Sequence, residues 1–400
     1  IDGTAVPAAA VGNDREYRAD VPGLGRGVHC LWAQAMSEEG ATAITPERCF
    51  EIRGPEPSYT LEILDPPTPD GASEGLEINA SGAVVGVGDD RPCRWAPGTA
   101  CLDQVGRAEA IDDAGVALVG PRLDGTPPGI FLWHPDGALA SVGSHPAVRY
   151  TRAFDLANSG ERIVQVEMPG IGGVIGSEAG GAVVPFVTVT PFSTWPPFAR
   201  PVVARGGLGA AAVTPTFGDL LSSSQYPQPP YRVAPVYYSP ANSMGLDFLA
   251  EDSWGFPAAV SDRGVVVGFV DHGKPTWVRP GASEPWRLPA SALTLDRQAF
   301  RWSQDGGLEL LEGLGQRSEA RDVDVRGVVI GAYQPWLETS DRAFLHACGR
   351  ASDLNDRIAP GSGFVLRSAN GVNESGQITG LAASTDGLDR RRAFRLTPVP

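Results

Sequence analysis

The chain has 400 residues and a formal net charge of −15, so the positive footprint expected of a protein that grips nucleic acid or anionic lipid is missing. Its 50 glycines and 36 prolines follow no Gly-X-Y period, which excludes collagen and predicts many turns between short strands. No run of apolar residues is long enough for a membrane-spanning helix, and no signal peptide is recognisable at Ile1, as expected of a mature or trimmed form.

The first segment, 1–57, reads as a β-sandwich-like hairpin of fibronectin or immunoglobulin type. Its strand-like runs begin at Tyr17, Gly27 and Glu47, with a turn region from Ser37 to Pro46. Cys30 and Cys49 lie on the last two runs and are expected to bridge them. The segment is short for a complete sandwich, and the Pro-rich joint Gly54 to Pro57 marks its boundary.

From Ser58 onward a repeat takes over. INASGAVVG, IDDAGVALVG, LANSGERIV, VSDRGVVVG, VDVRGVVIG and NGVNESGQITG align on Gly82, Gly115, Gly160, Gly264, Gly327 and Gly376. A polar turn, a glycine at fixed offset and a β-branched run write a strand, turn, strand element. The glycine spacings are 33, 45, 104, 63 and 49, and the 104-residue gap hides one further unit. The mean period that results suits one small antiparallel sheet per repeat. EAGGAVVP imitates the turn signature with Gly181 in register, but that glycine follows Gly160 too closely to place the hidden unit.

Each unit carries a second signature after the turn: CRW at Cys93, FLWH at Phe131, AFRW at Ala299, AFLH at Ala343 and AFRL at Ala393. With the glycine turn, these strings resemble the bacterial extracellular HAF-type repeats. The His position of that pattern is here Gln298, Arg342 or Arg392. The resemblance implies surface exposure and a repeat fold, and carries no catalytic residue across.

The last unit stops at AFRLTPVP without a final strand, whereas SYTLEILDPP at Ser58 has the form of that strand. Pairing Tyr59 to Leu64 with Arg392 to Leu396 closes a ring and removes two exposed edges. The expected fold is therefore all-β, a β-propeller of about seven blades over 58–400, or six if the long gap is one enlarged blade.

Chemistry-bearing residues are sparse. Cys93 and Cys101 bracket a Pro-Gly turn and are expected to form a disulfide, which leaves Cys348 as a free, buried thiol and points to an oxidising compartment. Asp112 with Asp113, and Asp322 with Asp324, fit turn hydrogen bonding better than acid–base work. His134 precedes a Pro-Asp-Gly turn, Arg390, Arg391 and Arg392 read as a solvated strand edge, and Trp95, Trp133, Trp277 and Trp302 read as inter-blade core. No cofactor or metal motif is present.

Between Pro185 and Pro257 the pattern breaks into Pro- and Tyr-rich sequence, read as an insertion on a blade loop. Trp195, Tyr226, Tyr231, Tyr237, Tyr238 and Trp254 are the candidate binding residues there. The functional reading is a secreted or cell-surface propeller that binds a protein partner or glycan, alone or within a larger assembly, with no nucleic acid and no membrane span. The alternative is a secreted polysaccharide lyase or glycosidase, for which His145, Tyr150 and Arg152 are the loose catalytic candidates.

Overall fold

In the computed structural model, seven four-stranded antiparallel sheets follow one another along the chain. The structure describes residues 58–95, 98–120, 129–142, 154–164, 255–271, 297–304, 306–347, 349–388 and 390–399 with their side chains, and elsewhere only the backbone of the further strands named below.

Blade 1 comprises Ser73–Ile78, Val84–Gly88, Arg91–Trp95 and Thr99–Cys101, and blade 2 Arg107–Ile111, Ala117–Gly120, Phe131–Trp133 and Leu139–Ser141. Blade 3 comprises Arg149–Leu156, Arg162–Met168, Gly172–Ala179 and Ala182–Val189, so the sequence around Gly181 joins the third and fourth strands of one blade. The hidden unit is blade 4, made of Val202–Val203, Ala210–Pro215, Val233–Tyr238 and Ser243–Gly245. Blade 5 comprises Trp254–Val260, Val266–Asp271, Arg297–Ser303 and Gly307–Leu310, and blade 6 Arg317–Val323, Val329–Gln334, Arg342–Ala347 and Arg350–Asp353. Blade 7 takes Phe364–Val372, Ile378–Ser384 and Arg391–Pro398 from the end of the chain and Tyr59–Leu64 from before blade 1.

That last pairing places Leu61 opposite Leu396 and Leu64 opposite Ala393, the closure expected from the sequence. The first strand of every blade packs against the first strands of both neighbours, and the ring is complete from blade 7 to blade 1. The fold is a closed seven-bladed β-propeller. In 1–57, Gly27–Leu31 pairs with Arg48–Ile52 and sets Cys30 opposite Cys49 in register, while their sulfurs lie outside the described residues.

The repeat grammar has a hydrogen-bonding cause. In each of the six aligned turns the glycine has φ between +72° and +83°, a region open to glycine but costly for a residue with a Cβ. Gly327 N–H donates to the Asp324 carbonyl at 3.0 Å and Asp324 N–H to the Val328 carbonyl at 3.1 Å, a hairpin with a glycine bulge. The polar residue three before the glycine caps the turn: Asn79 Oδ1 accepts from Ala83 N–H at 2.9 Å, and Asp112 Oδ1 from Val116 N–H at 2.7 Å. Asp324 Oδ1 does the same for Val328 at 2.9 Å. Asp and Asn stand there because their short side chains reach the backbone two to four residues on.

The glycine that ends each β-branched run answers to a different constraint. The innermost strand bulges between Ala320 and Asp322, and a Cβ on Gly331 would meet the Glu319 carbonyl oxygen at 2.0 Å. Opposite it sits the phenylalanine of the third strand. Phe300, Phe344 and Phe394 are fully buried, each contributing on the order of 2–3 kcal/mol by removing its ring from water. Phe344 packs with Val267 and Ala299 of blade 5 and with Ala320 of its own blade, so this residue cements one blade to the next. Trp95, Trp133 and Trp302 are likewise buried, whereas Trp277 and Cys348 lie outside the described residues.

One expectation is overturned. Arg392 is only 4% exposed, not part of a solvated edge. Its strand is interior to blade 7, flanked on both sides, and the guanidinium reaches across to donate to the Gly71 and Pro69 carbonyls. Of the three arginines, only Arg390, which precedes the strand, and Arg391, its first residue, face water.

Candidate functional site

The propeller axis is walled by the first strand of each blade, and several of these strands carry charged residues at matching positions. Eight residues before the turn glycine stand Glu74 in blade 1, Arg107 in blade 2, Arg152 in blade 3 and Glu319 in blade 6. Two residues further along stand Glu109, Arg321 and Asn370. Glu109, Arg321 and Asn370 sit at the bulges of their strands, where the extra residue re-aims the side chain.

All of these but Arg152 join Asp271 and Arg297 of blade 5 in a chain of ion pairs and hydrogen bonds that crosses five blades. Asp271 lies 3.8 Å from Arg297 Nε, and Arg297 pairs with Glu319. Arg321 lies 3.6 Å from the other Glu319 oxygen and donates to Asn370 Oδ1 at 2.6 Å. The Asn370 amide then donates to the Gly75 carbonyl at 2.7 Å and to Glu74 at 3.3 Å. Glu74 lies 3.9 Å from Arg107, which lies 3.7 Å from Glu109. The Arg297 guanidinium also sits 4.6 Å above the Phe269 ring, a stacking that suits a delocalised, weakly hydrated cation.

Burial alone would push the Glu319 carboxyl up. Arg321 and Arg297, the latter also hydrogen-bonded to it, and Arg317 outweigh that penalty and hold its pKa below the ordinary value. The girdle thus keeps Glu319 ionised.

Toward the turns the axis opens into a cavity of about 100 Å³ lined by Glu77, Glu109, Asp155, Asp262, Arg321 and Asp322, among others. Its rim is a second ring of blade-to-blade bonds. Asp322 accepts the Val372 N–H of blade 7 at 2.8 Å, and the Asn373 amide donates to the Asn79 carbonyl of blade 1 at 2.9 Å. The Asn79 amide donates to the Asp112 carbonyl of blade 2 at 3.0 Å, and Asp113 exchanges hydrogen bonds with Asn158 of blade 3 at 2.8 and 2.6 Å. Burial raises the Asp112 pKa, partly offset by the turn N–H groups of Val116, Ala114 and Gly115. Both Asp pairs therefore do turn and seam work.

Of the candidate binding residues, Tyr237 and Tyr238 lie on the third strand of blade 4, opposite Ala211 and Ala210, and Trp254 begins the first strand of blade 5. Those two strands pack together, and they belong to blades and not to a loop. Trp195, Tyr226 and Tyr231 lie outside the described residues, as does His145. Tyr150 and Arg152 lie on the first strand of blade 3, Arg152 at the register position of Glu74 and Arg107. Glu319, Arg321, Asn370 and Glu74 are not among the residues expected from the sequence; their recurrence at eight or six residues before the turn glycine was the signal available.

Cys93 and Cys101 are opposite one another on adjacent strands and form a disulfide. Among the described residues no group of three His, Cys, Asp or Glu is placed to hold a metal ion, and no helix is long and apolar enough to cross a membrane.

No family model matches the chain, and no curated protein matches it. Among solved structures it is similar to virginiamycin B lyase from Staphylococcus aureus, at 9% identity and a TM-score of 0.50, covering 85% of this chain and 100% of that one. It is also similar to TolB from Acinetobacter baumannii, at 12% identity and a TM-score of 0.36, covering 82% of this chain and 64% of that one. Oligogalacturonate lyase from Vibrio parahaemolyticus matches at 9% identity and a TM-score of 0.35, covering 86% and 97%. The likeness is one of propeller fold.

Proposed function

We propose that this propeller is a secreted or cell-surface module that binds a protein partner or a glycan and serves as a structural scaffold. The observation that carries the reading is the girdle of matched charges. An acid–base catalyst needs a group whose pKa is moved toward the working pH, and the half-buried carboxyl at the centre of the girdle, Glu319, is moved away from it. Matched arginines and carboxylates instead offer donors and acceptors in fixed positions, which suits recognition of a polar ligand at the axis. The Cys93–Cys101 disulfide supports an oxidising, extracellular location, and the acidic balance argues for partners other than nucleic acid.

The aromatic stretch supplies the second proposed contact. Trp195, Tyr226, Tyr231, Tyr237, Tyr238 and Trp254 bring large apolar area with few rotors to immobilise. The test is to titrate the purified chain against a glycan array and against acidic and neutral polysaccharides, following both binding and product release. Saturable binding without bond cleavage is the expected outcome. Turnover of any polysaccharide would replace this reading with that of a propeller lyase or glycosidase.

A further inference from the structure

A cavity of about 220 Å³ lies beside the girdle where blades 7, 1 and 2 meet. Ser73 and Arg107 begin the first strands of blades 1 and 2, Arg391 begins the third strand of blade 7, and Val87 stands near the end of the second strand of blade 1. Each is at the end of its strand away from the glycine turn, so this cavity belongs to the opposite face from the acidic one lined by Glu77, Asp155 and Asp262. Its charged lining is balanced, with Arg107 and Arg391 against Glu74 and Asp90.

Both arginines have donors to spare. The nearest carboxylates to the Arg107 guanidinium, Glu109 at 3.7 Å and Glu74 at 3.9 Å, are too far for a hydrogen bond. Arg107 Nε is buried and hydrogen-bonded to nothing, and a buried donor left without an acceptor costs stability that folding does not return. The other girdle arginines differ, since Arg297 donates to Glu319 and Arg321 to Asn370. Arg391 is exposed, and among the described residues its guanidinium makes neither a hydrogen bond nor an ion pair. Its neighbours in sequence are both engaged, Arg390 with Asp386 and Arg392 with Asp65. Glu74 accepts from the Asn370 amide at 3.3 Å through one oxygen, which leaves its carboxylate with acceptor capacity.

We infer that this cavity binds a hexuronate ring of an acidic glycan, Arg107 and Arg391 receiving the sugar carboxylate and Glu74 and Asp90 accepting from ring hydroxyls. The inference rests on the reading of the chain as a binding module and names the sugar that it takes. A guanidinium fork matches a carboxylate with two parallel N–H···O bonds, whereas a side-chain carboxylate accepts from hydroxyls and repels a second anion. Sulfate or phosphate would fill the arginines and be opposed by the acids. A neutral sugar would satisfy the acids and leave the arginines unfilled. A ligand with one acid group beside several hydroxyls answers both. The volume is below the roughly 300–1,000 Å³ of pockets for drug-sized ligands, which suits a single ring. Because the chain as a whole carries −15, it has no general attraction for acids, and a preference for the acidic sugar reports the local arginines.

Isothermal titration calorimetry of the full chain with methyl glucuronide, methyl glucoside and inorganic sulfate tests this. The glucuronide should bind at least about tenfold more tightly than the other two. Arg391→Gln should lose at least about tenfold of that affinity at an unchanged Tm, because its guanidinium holds nothing in the fold. Arg107→Gln should lose as much or more, and Glu74→Gln should narrow the margin over sulfate. Arg390→Gln, in the same basic run but outside the cavity, should bind as wild type does. Equal affinity for glucuronide and glucoside overturns the inference. So does glucuronide binding that Arg391→Gln and Arg107→Gln leave intact, or sulfate bound more tightly than glucuronide. Where any of these results accompanies binding to other glycans or to a protein, the binding-module reading stands and the assignment of this cavity alone falls. A chain that binds no glycan and no protein removes both.

Discussion

The side-chain amide of Asn373 donates to the backbone carbonyl of Asn79 at 2.9 Å, joining the last and first blades through residues 294 positions apart. Both residues are 1% exposed. Each also caps its own turn, since Asn373 Oδ1 accepts from Gln377 N–H at 2.9 Å and Asn79 Oδ1 from Ala83 N–H at 2.9 Å.

Asn373→Ala removes the cap and leaves the buried Asn79 carbonyl without this donor. The expected cost is about 2–3 kcal/mol, against about 1 kcal/mol for a hydrogen bond in an exposed turn. Asn373→Asp keeps the acceptor and loses the donor, so it should fall between wild type and alanine. Urea unfolding of the three chains measures this, and equal midpoints would show that the seam bond contributes nothing.

The seam strand Tyr59–Leu64 supplies the fourth strand of blade 7. Thr60→Pro removes the ladder donor that faces Thr397 and should destabilise by about 3 kcal/mol or more. Hydrogen exchange should then quicken selectively in Arg391–Pro398, the strand that loses its partner. Unchanged protection of that strand would mean that the ring closes without it.

His346 is 5% exposed, and burial lowers its pKa from 6.5, with Glu309 opposing and Arg301 assisting. The unfolded chain therefore takes up the proton first as pH falls through about 6.5, and the folded state binds fewer protons over that window. Stability should drop on acidification there by at most about 1.4 kcal/mol per pH unit. His346→Gln should flatten that part of the curve, as read from denaturant midpoints at successive pH values.

Glu319 has the opposite sign. Its folded pKa lies below 4.5, so it stabilises the fold above that value and the contribution is lost as pH falls through the folded value. Glu319→Gln leaves Arg297 and Arg321 without this carboxylate and should cost about 3 kcal/mol at neutral pH, with a smaller further loss below pH 4.5 than wild type shows. A variant as stable as wild type would mean that the girdle is not a coupled network.

Peptide mapping of the native chain should recover Cys93 linked to Cys101, Cys30 linked to Cys49, and Cys348 as a free thiol. Reducing the Cys93–Cys101 bridge, which closes a separation of 8 residues, should cost about 2–3 kcal/mol in the chain-entropy account. Free thiols at all four of these positions would remove the argument for an extracellular location.

The sequence alone determined the repeat unit, because its code is local. Asn79 or Asp324 as a cap, Gly82 or Gly327 at positive φ, and a β-branched run ending in glycine all act within about nine residues of one another. It also determined the closure, since a unit lacking its fourth strand and a strand lacking its unit stand at opposite ends of the repeat region. Blade 4 was not legible: Val202–Gly245 carries none of those turn signatures, and backbone pairing alone makes it a blade. Nor was the girdle. Glu319, Arg321, Asn370, Glu74 and Arg107 each look like an ordinary strand charge in the sequence. Their partners lie on neighbouring blades, so only the closed ring sets acid beside base around the axis and makes pairing outweigh burial at Glu319. The same holds for Arg392, whose place in a basic run suggested solvent until the interior position of its strand fixed the side chain over the Pro69 and Gly71 carbonyls.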